Sequence, residues 1–327
     1  MMKLPWLNIS RGRNEDSVPR HCRVSRYPTL APWAELFRSG NSVTGIFGVV
    51  LGSILASQGL PTGDFAIITV LHCLSVMTFM FSWNALNDYM DIEIDRINRP
   101  NRPLPSGEIS EVAARRGIVS AAVLSTSFLI FAAYVSHSGE IGVDGWLPSL
   151  AIWMIALLLL FNYESPSKLS FRMKDKGLPG NLAISMSVGL VIIFGAASVS
   201  DPMNQRAWSA FIVGFLYNLS REIVKDIEDM DGDKGRETYA MKVGEERAST
   251  LAALVLIAAL AAMLAPFSPI LHIFTDWHVA FVIPSVVTLM MVKPKLLASE
   301  YSNAQKLIKT SMQLCLIAFL LISLIPS

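Results

Sequence analysis

Two stretches of the chain, 138 positions apart, carry the same pattern: Asn84, Asp88, Asp91 and Asp95, then Glu222, Asp226, Asp229 and Asp233, each spaced by 4, 3 and 4 residues. At about 100° per residue, each set falls within roughly 60° of one helical face. Each stripe follows a long apolar run. Four such groups at a membrane helix end repel one another when ionised, so something cationic must sit against them. Mg²⁺ takes oxygen ligands, keeps several waters and is usually completed by substrate phosphates. Two facing stripes would make a Mg²⁺–diphosphate cradle, with Asp88, Asp91, Asp95, Asp226, Asp229 and Asp233 as candidate metal ligands and Asn87 adding a neutral amide oxygen. A solvated, charged helix end accounts for one acidic cluster but poorly for two with matched spacing.

Basic residues lie beside both stripes. In the loop Arg99-Pro100-Asn101-Arg102-Pro103-Leu104-Pro105, three prolines forbid a helix. They are expected to hold Arg99 and Arg102 extended, a setting in which paired guanidinium groups suit phosphate oxygens. Tyr163 and Lys168 end the fourth apolar run, with Lys168 nearest the membrane and placed to reach a diphosphate. Arg172, Lys174 and Lys176, further out, read as lipid-headgroup anchors. Arg221 and Lys225 flank the second stripe, where they offset carboxylate charge or touch substrate. Arg38 and Asn41, before the first run, could contact an anionic acceptor. His72 and the methionines read as packing.

The elements that must position these residues are membrane helices. The chain of 327 residues is 52% hydrophobic with mean hydropathy +0.46, and its apolar residues fall in nine long blocks. These lie near 41–59, 65–87, 113–136, 146–163, 179–199, 207–227, 249–273, 278–292 and 304–326. The eighth is short and the seventh contains Pro266. If nine spans alternate, 26 of the 27 Lys and Arg residues fall on the side of the N-terminus, leaving Arg206 on the other. The positive-inside rule then places the N-terminus, both stripes and the long loops in the cytoplasm, in a multi-pass cell-membrane protein. Residues 1–33 read as a polar cytoplasmic tail without the apolar core of a cleavable signal, and 34–327 as one membrane domain. Trp33–Arg38 reads as a short amphipathic segment along the interface. Positions 84–96 and 222–234 match further at Glu93/Asp231 and Arg96/Lys234, the pattern of a duplicated helical unit facing across a central cavity. Gly45, Gly48, Gly52, Gly189 and Gly195 allow close helix contact around a tunnel for a long hydrocarbon. A water-poor pocket there would suit a carbocation. Three scattered cysteines and five dispersed histidines give no zinc spacing, disulfide framework or Ser-His-Asp arrangement. Nothing in the pattern points to nucleic acid or to an obligatory protein partner.

The run Asn87-Asp88-Tyr89-Met90-Asp91-Ile92-Glu93-Ile94-Asp95, continuing through Arg96-Ile97-Asn98-Arg99-Pro100 to Gly107, resembles the first signature of the UbiA superfamily of intramembrane prenyltransferases. Lys225-Asp226-Ile227-Glu228-Asp229, followed by Gly232-Asp233, resembles the second. The resemblance covers residues 34–327 and implies an all-α membrane fold of nine transmembrane helices around a central cavity. It further implies that Asn87, Asp91, Asp95, Asp229 and Asp233 bind Mg²⁺–diphosphate, with Asp88 and Asp226 supporting. Within the superfamily, the Ile-Asn-Arg-Pro stretch and the Arg221–Asp226 run are most similar to archaeal digeranylgeranylglyceryl phosphate synthases. That likeness implies geranylgeranyl transfer from its diphosphate to the hydroxyl of geranylgeranylglyceryl phosphate in ether-lipid synthesis. An aromatic quinone, tocopherol-type or chlorophyllide-type acceptor is the alternative. A cation transporter fits less well, since both stripes sit at one helix end rather than at mid-membrane. A CDP-alcohol phosphotransferase would need a longer Asp-Gly…Ala-Arg…Gly pattern that the chain lacks.

Overall fold

A computed structural model describes residues 30–139, 141–164, 170–230 and 237–325. All the regular structure there is helical. The helices are α1 (Leu30–Leu36), α2 (Ser39–Ser57), α3 (Gly63–Met90), α4 (Ile92–Asn98), α5 (Glu111–Ser138), α6 (Gly142–Glu164), α7 (Leu178–Ala197), α8 (Gln205–Glu228), α9 (Tyr239–Val243), α10 (Glu245–Leu264), α11 (Ile283–Met290), α12 (Val292–Leu297) and α13 (Tyr301–Leu324). A 3-10 turn, Met173–Lys176, leads into α7.

Local chemistry sets several boundaries. Ser110 caps α5 by accepting the Ala113 N–H, and the Asn204 side chain caps α8 by accepting those of Arg206 and Ala207. Pro266 follows α10 and ends the seventh apolar run in a 3-10 turn. The eighth run is longer than its sequence suggests: it reaches from Asp276 to Leu297 as a 3-10 segment, then α11, then α12.

Among the described residues, eight helical segments are long and apolar enough to cross a membrane, against the nine expected. The difference is α8. Its 24 residues include Arg206, Arg221, Glu222, Lys225, Asp226 and Glu228, too many charges for an apolar span. It occupies an interior position instead, packed against α7, α10 and α13. The other inner helix, α7, packs between α2, α6 and α8. Small residues make this possible: a Cβ on Gly52 would strike the Ile192 carbonyl, and one on Gly195 would strike that of Val49. The backbones of α2 and α7 therefore approach as closely as interhelical packing without side chains allows.

Outward faces are apolar, with Val119, Val123 and Ile130 of α5 and Leu254 and Ile257 of α10 all exposed. Such a belt is costly in water and suits hydrocarbon. Inside, hydroxyls cross-link helices: Ser75 and Ser125 join α3 to α5, and Tyr217 meets Ser311 at 2.8 Å between α8 and α13.

The amphipathic segment does more than lie at an interface. Helix α1 begins at Leu30, inside the stretch assigned by sequence to the tail. Leu36 is buried, and Trp33 and Phe37 pack with Ala85, Leu104, Ile109 and Ile118. This cluster fixes α1, α3 and the proline loop to one another.

Candidate active site

The first stripe is not one helix. Helix α3 stops at Met90, Asp91 takes φ −91° and ψ 8°, and α4 restarts at Ile92. In the second stripe α8 likewise stops at Glu228, and Asp229 takes φ −88° and ψ −1°. The Asp91 N–H donates to the Asn87 carbonyl at 3.0 Å, and the Asp229 N–H to that of Lys225 at 2.9 Å. Asp91 and Asp229, 138 residues apart, thus share both backbone conformation and capping bond. Asp233 and Lys168 lie outside the described residues.

Around the first stripe every carboxylate has a cation. Arg102 donates to Asp95 at 2.7 Å and to Asp88 at 3.2 Å. Arg38 donates to the same Asp88 oxygen and, at 3.2 Å, to the Asn87 amide oxygen. Lys174 donates at 2.8 Å to Asp91 and at 2.8 Å to Glu164, the last residue of α6. Asn87 closes the ring by donating to the other Glu164 oxygen at 2.7 Å. Asp88, Asp95 and Glu164 expose only 6%, 7% and 4% of their side chains. Carboxylates so buried persist only when paired and hydrogen-bonded. The cationic partner required by the spacing argument is therefore supplied here by the chain's own side chains.

Several of these partners are far away in sequence. Arg38 reaches Asp88 because it stands in the left-handed region, φ 46°, at the joint between α1 and α2. A non-glycine residue held there stores strain of about 1–3 kcal/mol. Asn84 does not join the carboxylates; its amide donates to the Phe37 carbonyl and steadies that joint. The proline loop is a series of turns rather than the expected extended strand. Arg102 N–H bonds to the Arg99 carbonyl, Ser106 N–H to that of Arg102, and Ile109 N–H to that of Pro103. Leu104 and Ile109 bury themselves and turn Arg102 inward, while Arg99 stays exposed.

The second stripe is reached through α7. Asn181, one turn into α7, donates to Asp226 at 2.9 Å. Lys174, on the 3-10 turn just before it, holds Asp91. That turn packs against the start of α7, where a Cβ on Gly180 would meet the Met173 carbonyl and Lys174. Both stripes therefore stand at the same end of the bundle, with the start of α7 between them. Glu222 pairs with its neighbours Arg221 at 2.9 Å and Lys225 at 3.7 Å, so these two cations offset charge on their own helix. Asn41 is exposed, tied to the site by its backbone N–H on the Arg38 carbonyl. Tyr163 is half-buried beside Glu164.

Sequence reasoning missed Glu164 and Asn181 and misread Lys174 as a lipid anchor. Glu164 carried one signal: a lone acid closing an apolar run without a basic neighbour in the preceding turns. Lys174, 83 residues from Asp91, carried none.

The donor set fits Mg²⁺. Its oxygens are carboxylates and an amide, and no His or Cys stands among them. Among the described residues no three acidic, His or Cys side chains are close enough to hold an ion alone. Mg²⁺ seldom needs such a cage, because one or two carboxylates and the substrate phosphates suffice.

Comparison with known proteins agrees with this geometry. The UbiA prenyltransferase family pattern matches residues 45–319. The digeranylgeranylglyceryl phosphate synthase of Methanopyrus kandleri is 33% identical over 296 residues, covering 89% of this chain and 98% of its own. That of Thermococcus kodakarensis is 33% identical over 297 residues, covering 89% and 97%. A solved structure from work on digeranylgeranylglyceryl phosphate synthase in membranes superposes with TM-score 0.66 at 28% identity, covering 90% of this chain and 98% of that one. A UbiA homologue from Archaeoglobus fulgidus bound to GPP and Mg²⁺ shares the fold, with TM-score 0.55 at 15% identity, covering 88% and 99%.

Proposed function

The chain belongs to the UbiA prenyltransferase family, and from that premise we propose that it transfers a geranylgeranyl group from geranylgeranyl diphosphate to the free hydroxyl of geranylgeranylglyceryl phosphate. It is a multi-pass membrane enzyme. The choice of substrates rests on the likeness to the Methanopyrus and Thermococcus synthases along nearly their whole length. The observation that carries the chemistry is the pair of matched helix-end aspartates, Asp91 and Asp229, at one end of the bundle.

Asp88, Asp91 and Asp95 with Asn87 on one side, and Asp226, Asp229 and Asp233 on the other, are the residues that would hold Mg²⁺. Bound there, Mg²⁺ would neutralise the diphosphate and make it a better leaving group. In the protein alone, Arg38, Arg102 and Lys174 occupy the carboxylate oxygens. Arrival of the diphosphate gives these cations phosphate oxygens to bind instead. Arg102 suits this exchange best, since its fork already spans two acceptors. Lys168, Arg99, Arg221 and Lys225 are further candidates for the phosphate oxygens, and Tyr163, near the end of α6, for a neutral hydrogen bond. Ionisation of the allylic C–O bond leaves a cation among the apolar helices, shielded from water. The acceptor hydroxyl oxygen attacks carbon 1 of that cation, and its proton passes to the departed diphosphate. Asn41, exposed at the α1–α2 joint beside Arg38, is a candidate for the acceptor's phosphate. The charge sorting along the chain supports a cytoplasmic placement of this end.

Mass spectrometry of the product from geranylgeranyl diphosphate and geranylgeranylglyceryl phosphate tests the reading. It expects a second ether-linked chain on the glycerol. Turnover with an aromatic acceptor and none with the glyceryl phosphate would overturn it.

A further inference from the structure

At the far end of α8 from the acidic stripes stands Arg206, about 30 Å of helix away from Asp226. A cleft of about 540 Å³ is lined by Arg206 and residues 272–277. A narrower cleft of about 200 Å³ shares Arg206, Phe274 and Thr275 with the first and reaches Gln58, His278 and Ser323. Ile322 and Ile325 line its apolar side.

Three features of the narrower cleft point to a ligand. His278 and Ser323 are 5% and 3% exposed, yet His278 Nδ1 and Ser323 Oγ have no hydrogen-bond partner among the described residues. Buried polar atoms are normally satisfied, so two orphans lining one cleft need explaining. The Arg206 guanidinium lies 5.4 Å from the centre of the Phe274 ring, and among the described residues no carboxylate pairs with it. Asp276 borders the wider cleft but not the narrower one. Arg206, His278, Ser323 and Gln58 therefore line one small cleft together with Ile322 and Ile325.

We propose that this narrower cleft binds a phosphate group, carried by an anionic lipid or present as the free anion. Arg206 supplies the charge-assisted hydrogen bonds, and Ser323 Oγ and His278 Nδ1 donate the others. A single cation with neutral donors matches a singly charged phosphodiester, and Ile322 and Ile325 would flank a hydrocarbon chain attached to it.

The test uses the full chain in detergent with EDTA present, so that the metal-dependent site stays out of play. Dioctanoyl phosphatidylglycerol, inorganic phosphate and uncharged dioctanoylglycerol are titrated in turn, with binding read by native mass spectrometry. The expected result is one bound phosphatidylglycerol per chain, weakened about tenfold by Arg206→Gln and several-fold by Ser323→Ala and His278→Phe. Arg102→Gln, at the opposite end, should leave that binding unchanged. Comparable binding of inorganic phosphate, equally sensitive to Arg206→Gln, would assign the site to the free anion. Dioctanoylglycerol binding as tightly as the phospholipid would overturn the proposal, as would phospholipid binding indifferent to Arg206→Gln. If Arg206→Gln fails to fold, the Ser323 and His278 variants decide: unchanged affinity in both refutes the site.

Discussion

Replacing Lys174 with Met removes the ammonium that joins the 3-10 turn to both α3 and α6. In the structure Lys174 is 14% exposed and holds Asp91 and Glu164 at 2.8 Å each, while Glu164 is 4% exposed. Breaking a fully buried pair costs about 3–5 kcal/mol, because the abandoned charge keeps its desolvation penalty. Asp91 is 22% exposed and Glu164 keeps the Asn87 amide, so the lower figure, about 3 kcal/mol, applies. For a chain of this size that corresponds to a melting temperature lower by roughly 4–5 °C. The assay is thermal unfolding in detergent with EDTA. Adding Glu164→Gln to Lys174→Met removes the stranded carboxylate and should recover part of the loss, so the double variant melts above the single one. A Lys174→Met protein that melts within about a degree of the wild type would show that the bridge to Asp91 and Glu164 does not hold the site together.

Arg102→Gln leaves Asp95 without a cation, and it should destabilise the protein by about 2 kcal/mol in EDTA, with millimolar Mg²⁺ restoring more stability than it adds to the wild type; calorimetry with and without the ion checks this. Asp91→Ala and Asp229→Ala should each lower diphosphate release about a hundredfold or more, measured on purified protein with labelled donor. Gly52→Val drives a side chain into the Ile192 carbonyl and should part α2 from α7, seen as loss of folded protein in detergent. EDTA should abolish turnover and Mg²⁺ restore it; full turnover in chelator would remove the metal from the account.

Much of the architecture was legible because membrane helices announce themselves through apolar length. The boundaries at Pro266 and Asn204 followed from local chemistry, and the repeat between Asp91 and Asp229 survives as matching backbone angles. What the apolar pattern obscured was α8. Taken as the sixth apolar run, it nonetheless carries six charged residues, which are tolerated because protein surrounds it. Helical periodicity also hid the breaks at Asp91 and Asp229, since a capping residue keeps nearly the same sequence spacing as a helical one. The site's wiring was least legible. Arg38 with Asp88, Lys174 with Asp91 and Asn181 with Asp226 join residues 45 to 83 positions apart, and only helix packing selects those pairs. The turns that aim Arg102 inward depend on burial of Leu104 and Ile109, so proline content alone suggested a straighter loop.

Calorimetric binding of geranylgeranyl diphosphate with Mg²⁺ to Asp91→Asn, Asp229→Asn and the double variant asks whether the two helix ends act on one ligand. Each single change should weaken binding strongly, and the double change should add little more, because either loss already dismantles a shared site. If one variant bound the donor as the unaltered protein does, or the two penalties simply summed, a single diphosphate held from both halves of the repeat would be ruled out.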